Sequence, residues 1–533
     1  MNVLKNWWST SNIKEKTVQL IVALMVFTFS SNISNAAISI SWGLAAVCIL
    51  CDCYQKKTFS GFRMARENWL GLAVFLGSVL LASLLLGDKP SIHMAFKYVY
   101  WALPFVLAAY LGKLADIRYA AAAGALLSVA VTSINVAYLN YLFLHGQKLF
   151  YLNGTPVTGR LGAFLFNPNH SAMLLICVLP LLLCFYTEKK LRSNPLLITI
   201  GITVTVLGLW ALWKTGSRGG MIGLFAGGVS VFALFCYFQK QGKLFLNGLT
   251  MGVALVAVVL LAGIQGGEIR KYSDAIRLRQ IRSCYTMWQD HKLLGVGLEN
   301  WQKEYAGHYI LKDEIREEIR QRYLDGKKAA EQRAAAAKKA AAAKKAAEQK
   351  KAAAQKAAAA KKDAEQKKAE PKNAPTKKPA TQKPAVQKPK PQLTPEQKAA
   401  AAKATAQKAE AAKKAAAKKD ADNIAAWQKE AIKQESVFDM PHNVIAWFFS
   451  TTGALGGIGY LLFVVYYCKL LCSRIKDNSK EWILYVGIWA LLAITIHGLV
   501  DAGITNKEAA RLIFLVLGIV LDLRYTEKEE TLL

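Results

Sequence analysis

A chain of 533 residues that is 53% hydrophobic and yet carries a formal net charge of +32 is not one soluble domain. Two different materials must share it: apolar stretches of about 17 to 25 residues, the length that crosses a hydrocarbon core of about 30 Å as helix, and a Lys/Ala tract. The tract, residues 327–420, has 27 Lys and Arg against 8 Asp and Glu, an excess of 19 out of the net 32.

From the N-terminus, apolar windows near 17–35, 36–53, 68–87, 93–112, 118–144 and 170–187 predict six spans. Six more are predicted near 195–213, 219–238, 245–264, 442–467, 481–500 and 508–523. The expected fold is all-α, a polytopic transmembrane bundle of about twelve spans with a large periplasmic loop between spans nine and ten. The leading "MNVLKNWWSTSNIKEK" brings no small-residue cleavage site, so the first span reads as uncleaved.

Basic residues collect after every even-numbered span. Lys56, Lys57, Arg63 and Arg66 follow the second, Lys113 and Arg118 the fourth, Lys189, Lys190 and Arg192 the sixth. Lys240 and Lys243 follow the eighth, Lys469, Arg474, Lys476 and Lys480 the tenth, and Arg524 and Lys528 the twelfth. Cytoplasmic loops retain Lys and Arg, which puts both termini in the cytoplasm. The connections 145–169, the turn at Arg218, residues 265–441 and the loop near Asp501 then face the periplasm or the cell exterior. Five regions follow: 1–264 with nine spans, 265–326 as amphipathic loop, 327–420 as low-complexity insert, 421–441 as the loop's return, and 442–533 with three spans and a tail.

The nine cysteines offer no disulfide framework, since only Cys284 lies clearly in the long outer segment. Cys51 with Cys53 and Cys468 with Cys472 have a spacing that metals use, although a buried thiol is the commoner fate of cysteine. In the insert, Ala, Lys, Gln and Glu favour exposed single helices before Pro371 and after Pro395. The segment "PKNAPTKKPATQKPAVQKPKPQLTP" between them must be extended and polyproline-like. Such an arm is a tether, or a contact for anionic envelope surfaces. Its charge would suit nucleic acid, but its compartment does not, and no nucleic-acid partner is expected.

Four stretches share the expected outer face: "RLGAFLFNPNHSA" from Arg160, "GSRGG" around Arg218, "RLRQIRSCYTMWQDHKLLGVG" from Arg277, and "PHNVIAWFFSTTGALGGIGY" from Pro441. Pro168 can open a helix that Asn167 or Asn169 caps. A charge at a hydrocarbon boundary needs a partner, so each arginine asks for an anion. An arginine can instead be a headgroup anchor, and His442 can merely cap its helix. His170 and His308 read as structural or surface residues; His497 and Asp501 are weaker site candidates.

In this order the four motifs resemble the O-antigen ligase and polymerase superfamily over roughly residues 70–515 without the insert. The resemblance implies a metal-independent glycosyltransferase of the bacterial inner membrane that needs no cofactor. It implies an undecaprenyl-diphosphate-linked glycan as donor and the lipid A core as acceptor, both embedded in membrane lipid, with the active site facing the periplasm. Repeat-unit polymerisation and protein O-oligosaccharyl transfer are the related alternatives. A lipid-linked glycan transporter is an alternative of another class, which would place ionisable residues at mid-membrane on broken helices. Such a transfer needs cations on the departing diphosphate, and Arg160, Arg218 and Arg277 can supply bidentate guanidinium forks. Glycines beside Arg218 would let backbone and phosphate approach closely. The acceptor hydroxyl needs a base, which is His442. No paired outer carboxylates with metal spacing stand near these motifs. Lys292 replaces a proline usual in the family, so Arg279 or Arg282 can hold the role given to Arg277.

Overall fold

Short polar side chains decide where the helices begin. In the computed structural model, Ser34, Asp88, Asn167, Asn194, Ser217, Asn443 and Asn506 each accept a hydrogen bond from a first-turn amide of the helix that follows. A helix otherwise leaves those amides unpaired, which is why Ser, Asp and Asn hold these positions. The structure describes residues 13–59, 62, 64–146, 160–165, 167–244, 246, 248, 250, 267–366, 394–501 and 503–521.

The main helices are α1 (Ile13–Ser31), α2 (Asn35–Lys56), α3 (Arg66–Leu86), α4 (Lys89–Trp101), α5 (Leu103–Leu114), α6 (Arg118–Leu144), α7 (Pro168–Val178), α8 (Pro195–Thr215), α9 (Arg218–Phe238) and α10 (Gly267–Asp290). Then come α11 (Lys312–Gln366), α12 (Pro395–Ser436), α13 (Val444–Asp477), α14 (Trp482–Gly498) and α15 (Lys507–Val520). The described residues include no strand. Among the described residues, eight helices are long and apolar enough to cross a membrane: α2, α3, α4 joined to α5, α6, α7 extended to Thr187, α8, α9 and α13. The shorter α14 is apolar throughout, and α1 and α15 fall on the first and last expected windows. Most of the window 245–264, both chain ends and Arg63, Arg524 and Lys528 lie outside the described residues.

The chain forms two compact units, residues 1–310 with 436–533, and residues 311–435. In the first, α1 packs on α6, α3 on α13, α5 on α15, and α9 on α14. In a bilayer there is no water to expel between helices, so close packing has to hold them. Two features supply it. Phe75 of α3 meets Phe448 of α13 edge to face at 5.3 Å, a geometry worth about 0.5–1.5 kcal/mol beyond area. Along α9, Gly219, Gly223 and Gly227 form a bare stripe; a methyl group on them would collide with Val500, Ala493 and Trp489 respectively. Gly219, next to Arg218, therefore serves helix packing.

The helix α13 is broken at Gly453, whose φ of 61° and ψ of −159° no side chain tolerates well. Residues 292–297 fill the break. Val296 and Gly297 donate to the carbonyls of Ser450 and Thr451 at 2.9 and 2.8 Å, and Ala454 donates to Lys292 O at 2.8 Å. A Cβ on Gly453 would overlap Leu293, and one on Gly295 would overlap Thr451. The "LLGVG" and "TTGALGG" motifs are thus two halves of one backbone joint. Lys292 contributes its carbonyl to that joint, a group proline also possesses.

The second unit is made of α11 and α12. Tyr323 and Lys327 both reach Asp420, Tyr323 packs edge to face on Trp427, and Gln428 donates to Arg316 O. Numbers rising on one helix as they fall on the other make this an antiparallel pair. The 55 residues of α11 run without interruption through position 327, where only the composition changes, and give about 80 Å of helix at 1.5 Å per residue. The proline-rich segment lies outside the described residues.

Candidate functional site

The corner between α8 and α9 is tight. Gly216, at φ 60°, closes α8 in the left-handed conformation, Ser217 caps α9, and Arg218 is the first helical residue. Arg160 braces this corner: its Nε donates to Thr215 O at 2.8 Å, its Nη2 to Asn169 Oδ1, and Leu161 N donates to Lys214 O at 3.0 Å.

The anion opposite Arg218 is Asp274. Arg218 Nη2 lies 2.6 Å from Asp274 Oδ1, and Arg277 Nη1 reaches the same oxygen at 3.3 Å. Asp274 and Arg277 are three residues apart on α10, one turn, so a single helix face presents both. Among the described residues, the Nε of Arg277 is buried without a hydrogen-bond partner. Two guanidinium groups therefore converge on one carboxylate oxygen, in a place where a second anionic oxygen would find donors.

One further turn along α10, the fully buried Gln280 accepts from the backbone amide of His442 at 3.4 Å. His442 Nδ1 lies 3.4 Å from Asp501 Oδ1, and the histidine side chain is 26% exposed against 8% for the aspartate. The imidazole is thus held from one side and open on another. Phe438 packs edge-on against it at 5.6 Å. Asn443 caps α13 and donates to Leu499 O at 2.8 Å, fastening the start of α13 to the segment that carries Asp501.

Around this core sit two more histidines. His497 is buried, with Nε2 at 3.4 Å from Ser217 Oγ, so it links α14 to the α9 cap. His170 meets Asn506, the cap of α15, at 3.2 Å. Both join helices. His308 is exposed, Arg279 is buried and Arg282 exposed. Cys284 is buried on α10 with Trp301 Nε1 donating to it at 3.2 Å, and burial pushes its thiol up to about 11. A thiol so high is no nucleophile near neutral pH. All nine cysteines are free.

Arg160, Arg218, Arg277 and His442 thus meet in one neighbourhood, though on different terms. Arg218 and Arg277 share an anion, Arg160 supports the corner beneath Arg218, and His442 is tied to α10 through Gln280. The residues that sequence reasoning passed over are Asp274 and Gln280. The one signal for them is helical spacing: in "SDAIRLRQI" an acid, an arginine and an amide recur every three residues.

Residues 203–323 match the family model described as O-antigen ligase. Over this segment the chain is similar to the O-antigen ligase superfamily. The O-antigen ligase segment contains Arg218, Asp274, Arg277 and the "LLGVG" half of the joint, while Arg160, His442 and Asp501 lie beyond it. It stops short of the Lys/Ala tract. With the apolar helices, it makes this a membrane protein with ligase- or polymerase-like, glycosyltransferase-like function. No curated protein matches the chain.

Proposed function

We propose that the chain is a metal-independent ligase that moves a glycan from undecaprenyl diphosphate to a lipid A core sugar, working on the periplasmic face of the inner membrane. The observation that carries this reading is the Asp274 oxygen shared by Arg218 and Arg277. A carboxylate held between two guanidinium groups is a stand-in for the phosphate oxygen that would take its place.

In the reaction, the acceptor hydroxyl gives its proton to Nε2 of His442 while its oxygen bonds to the anomeric carbon. The electron pair of the old glycosidic bond leaves on the diphosphate, whose growing charge Arg218 and Arg277 neutralise. Asp501 accepts from the Nδ1 proton, which fixes Nε2 as the free base, and its charge favours the imidazolium that forms. Arg160 acts as a positioning residue, keeping the corner that aims Arg218. A transport function receives less support. Arg218 and His442 sit at helix starts, and the backbone groups freed in the broken α13 are taken by residues 292–297, leaving them unavailable to a mid-membrane substrate.

The test is a strain lacking the gene, complemented with wild type or His442→Ala, with surface glycans resolved by gel. Loss of long chains from lipid A with accumulation of lipid-linked glycan supports the ligase. Single repeat units on the core would indicate a polymerase, altered glycoproteins with unchanged lipid A a protein transferase, and no change in any glycan would overturn the proposal.

A further inference from the structure

Arg511 is the fifth residue of α15, just before an unbroken buried run from Leu512 to Leu521. Its guanidinium carbon lies 5.8 Å from the Trp42 ring and 5.6 Å from the Tyr100 ring, and those rings are 4.9 Å apart. Phe29 stacks behind Trp42 at 5.7 Å. The arginine is thus fixed between α2, α4 and α15 by cation–π contact, which uses the face of the guanidinium and leaves its edge of N–H donors unused.

Other arginines at the ends of the apolar helices have acceptors. Arg118 meets Asp116 and Glu481, Arg474 meets Glu67 and Asn68, and Arg218 meets Asp274. Among the described residues no carboxylate or carbonyl accepts from Arg511, and its Nε is buried without a partner. The Trp42 Nε1 is likewise buried and unpartnered among the described residues. A buried donor left unpaired costs about 1–3 kcal/mol, and here two belong to side chains in cation–π contact. Unpaired donors of this kind fit a ligand that accepts.

The surroundings say what carries that acceptor. Ile40 and Leu44 on α2, Phe96 on α4 and Leu103 at the start of α5, each within four residues of Trp42 or Tyr100 in the sequence, are exposed apolar side chains. A ligand arriving along that surface has acyl chains. The cluster also differs from the site at Arg218. Asn506, which meets His170, precedes Arg511 by five residues, and so lies about 140° round the helix and about 7.5 Å back along it.

We propose that Arg511, Trp42 and Tyr100 form a second anion site that takes the phosphate of a bilayer lipid whose chains lie along α2 and α4. Guanidinium and indole N–H groups hold phosphate oxygens, while the rings keep the arginine from turning away. The proposal does not depend on the transfer reaction.

The experiment is native mass spectrometry of the delipidated full-length protein titrated with dioleoylphosphatidylglycerol, with dioleoylglycerol as the phosphate-free control and inorganic phosphate as competitor. Wild type should bind one phosphatidylglycerol saturably. Arg511→Met should weaken binding at least about tenfold, and Trp42→Phe, which keeps a ring and removes one donor, roughly fivefold. Thermal unfolding reports whether each variant folds; if Arg511→Met does not, Trp42→Phe and Arg511→Lys carry the test. Wild-type affinity in the folded variants, equal binding of dioleoylglycerol, or displacement of the lipid by an equal concentration of inorganic phosphate would overturn the assignment.

Discussion

If Asp274 occupies the position of a donor phosphate, removing its charge should tighten donor binding. The size of the effect follows from the two contacts. The side chains of Arg218, Arg277 and Asp274 are 35%, 23% and 44% exposed, so solvent screens both pairs, and exposed pairs contribute about 0–1 kcal/mol each. The 2.6 Å contact is a charge-assisted hydrogen bond; the 3.3 Å contact is at the long end of the range. Together they amount to about 1 kcal/mol that an incoming diphosphate must replace. Asp274→Asn should therefore bind a polyprenyl diphosphate about fivefold more tightly than wild type, since 1.4 kcal/mol is tenfold. Repulsion between Asp274 and the donor adds to this at low salt and fades as ionic strength rises. Titration of the donor into protein in nanodiscs, at low and high salt, measures both parts. Unchanged or weaker binding in Asp274→Asn would refute the reasoning and make Asp274 a support that holds the arginines in place.

Asp501→Asn should lower turnover roughly 10²-fold or more with donor affinity kept, because the tautomer and charge of the His442 imidazole lose their support; kinetics and donor titration on one preparation separate the two quantities. Gly453→Ala should cost about 3 kcal/mol, from a backbone region closed to side chains and from weakened bonds to residues 292–297. Its thermal midpoint in detergent should fall, while Gly43→Ala, on an open face of α2, should not change it. Deleting residues 335–415 should leave transfer activity and thermal stability near wild type. The deletion spares the base of the α11–α12 pair at Tyr323, Lys327, Asp420 and Trp427, and shortening a loop changes its closure entropy only slowly.

The helices were legible because length and hydropathy act locally. Asn167 with Pro168 marked the start of α7, and the structure assigns the cap to Asn167. At the fourth motif the apolar window begins at 442 with His442 as a possible cap, whereas Asn443 is the cap and His442 precedes the helix. The joint between "LLGVG" and Gly453 was not legible. It is made of backbone hydrogen bonds between segments about 150 residues apart, and glycines leave no sign of what they approach. Asp274 escaped notice for another reason. A single acid among arginines on an amphipathic helix reads as a solvated face, and only the fold brings Arg218 across to meet it. In the sequence Arg511 falls inside the apolar window 508–523 with nothing to mark it, because the rings that hold it come from α2 and α4.

The central claim is that two arginines bind the donor's diphosphate while His442 handles the acceptor's proton, and donor binding by three variants tests it most directly. Arg218→Lys and Arg277→Lys keep the net charge but lose the paired N–H fork, whereas His442→Ala removes the base alone. With purified protein in nanodiscs and a polyprenyl-diphosphate glycan, the account predicts that both lysine variants lose about tenfold or more in affinity. It predicts that His442→Ala keeps wild-type affinity and loses about 10²-fold to 10⁴-fold in turnover. Wild-type donor affinity in both lysine variants, or full turnover in His442→Ala, would contradict it.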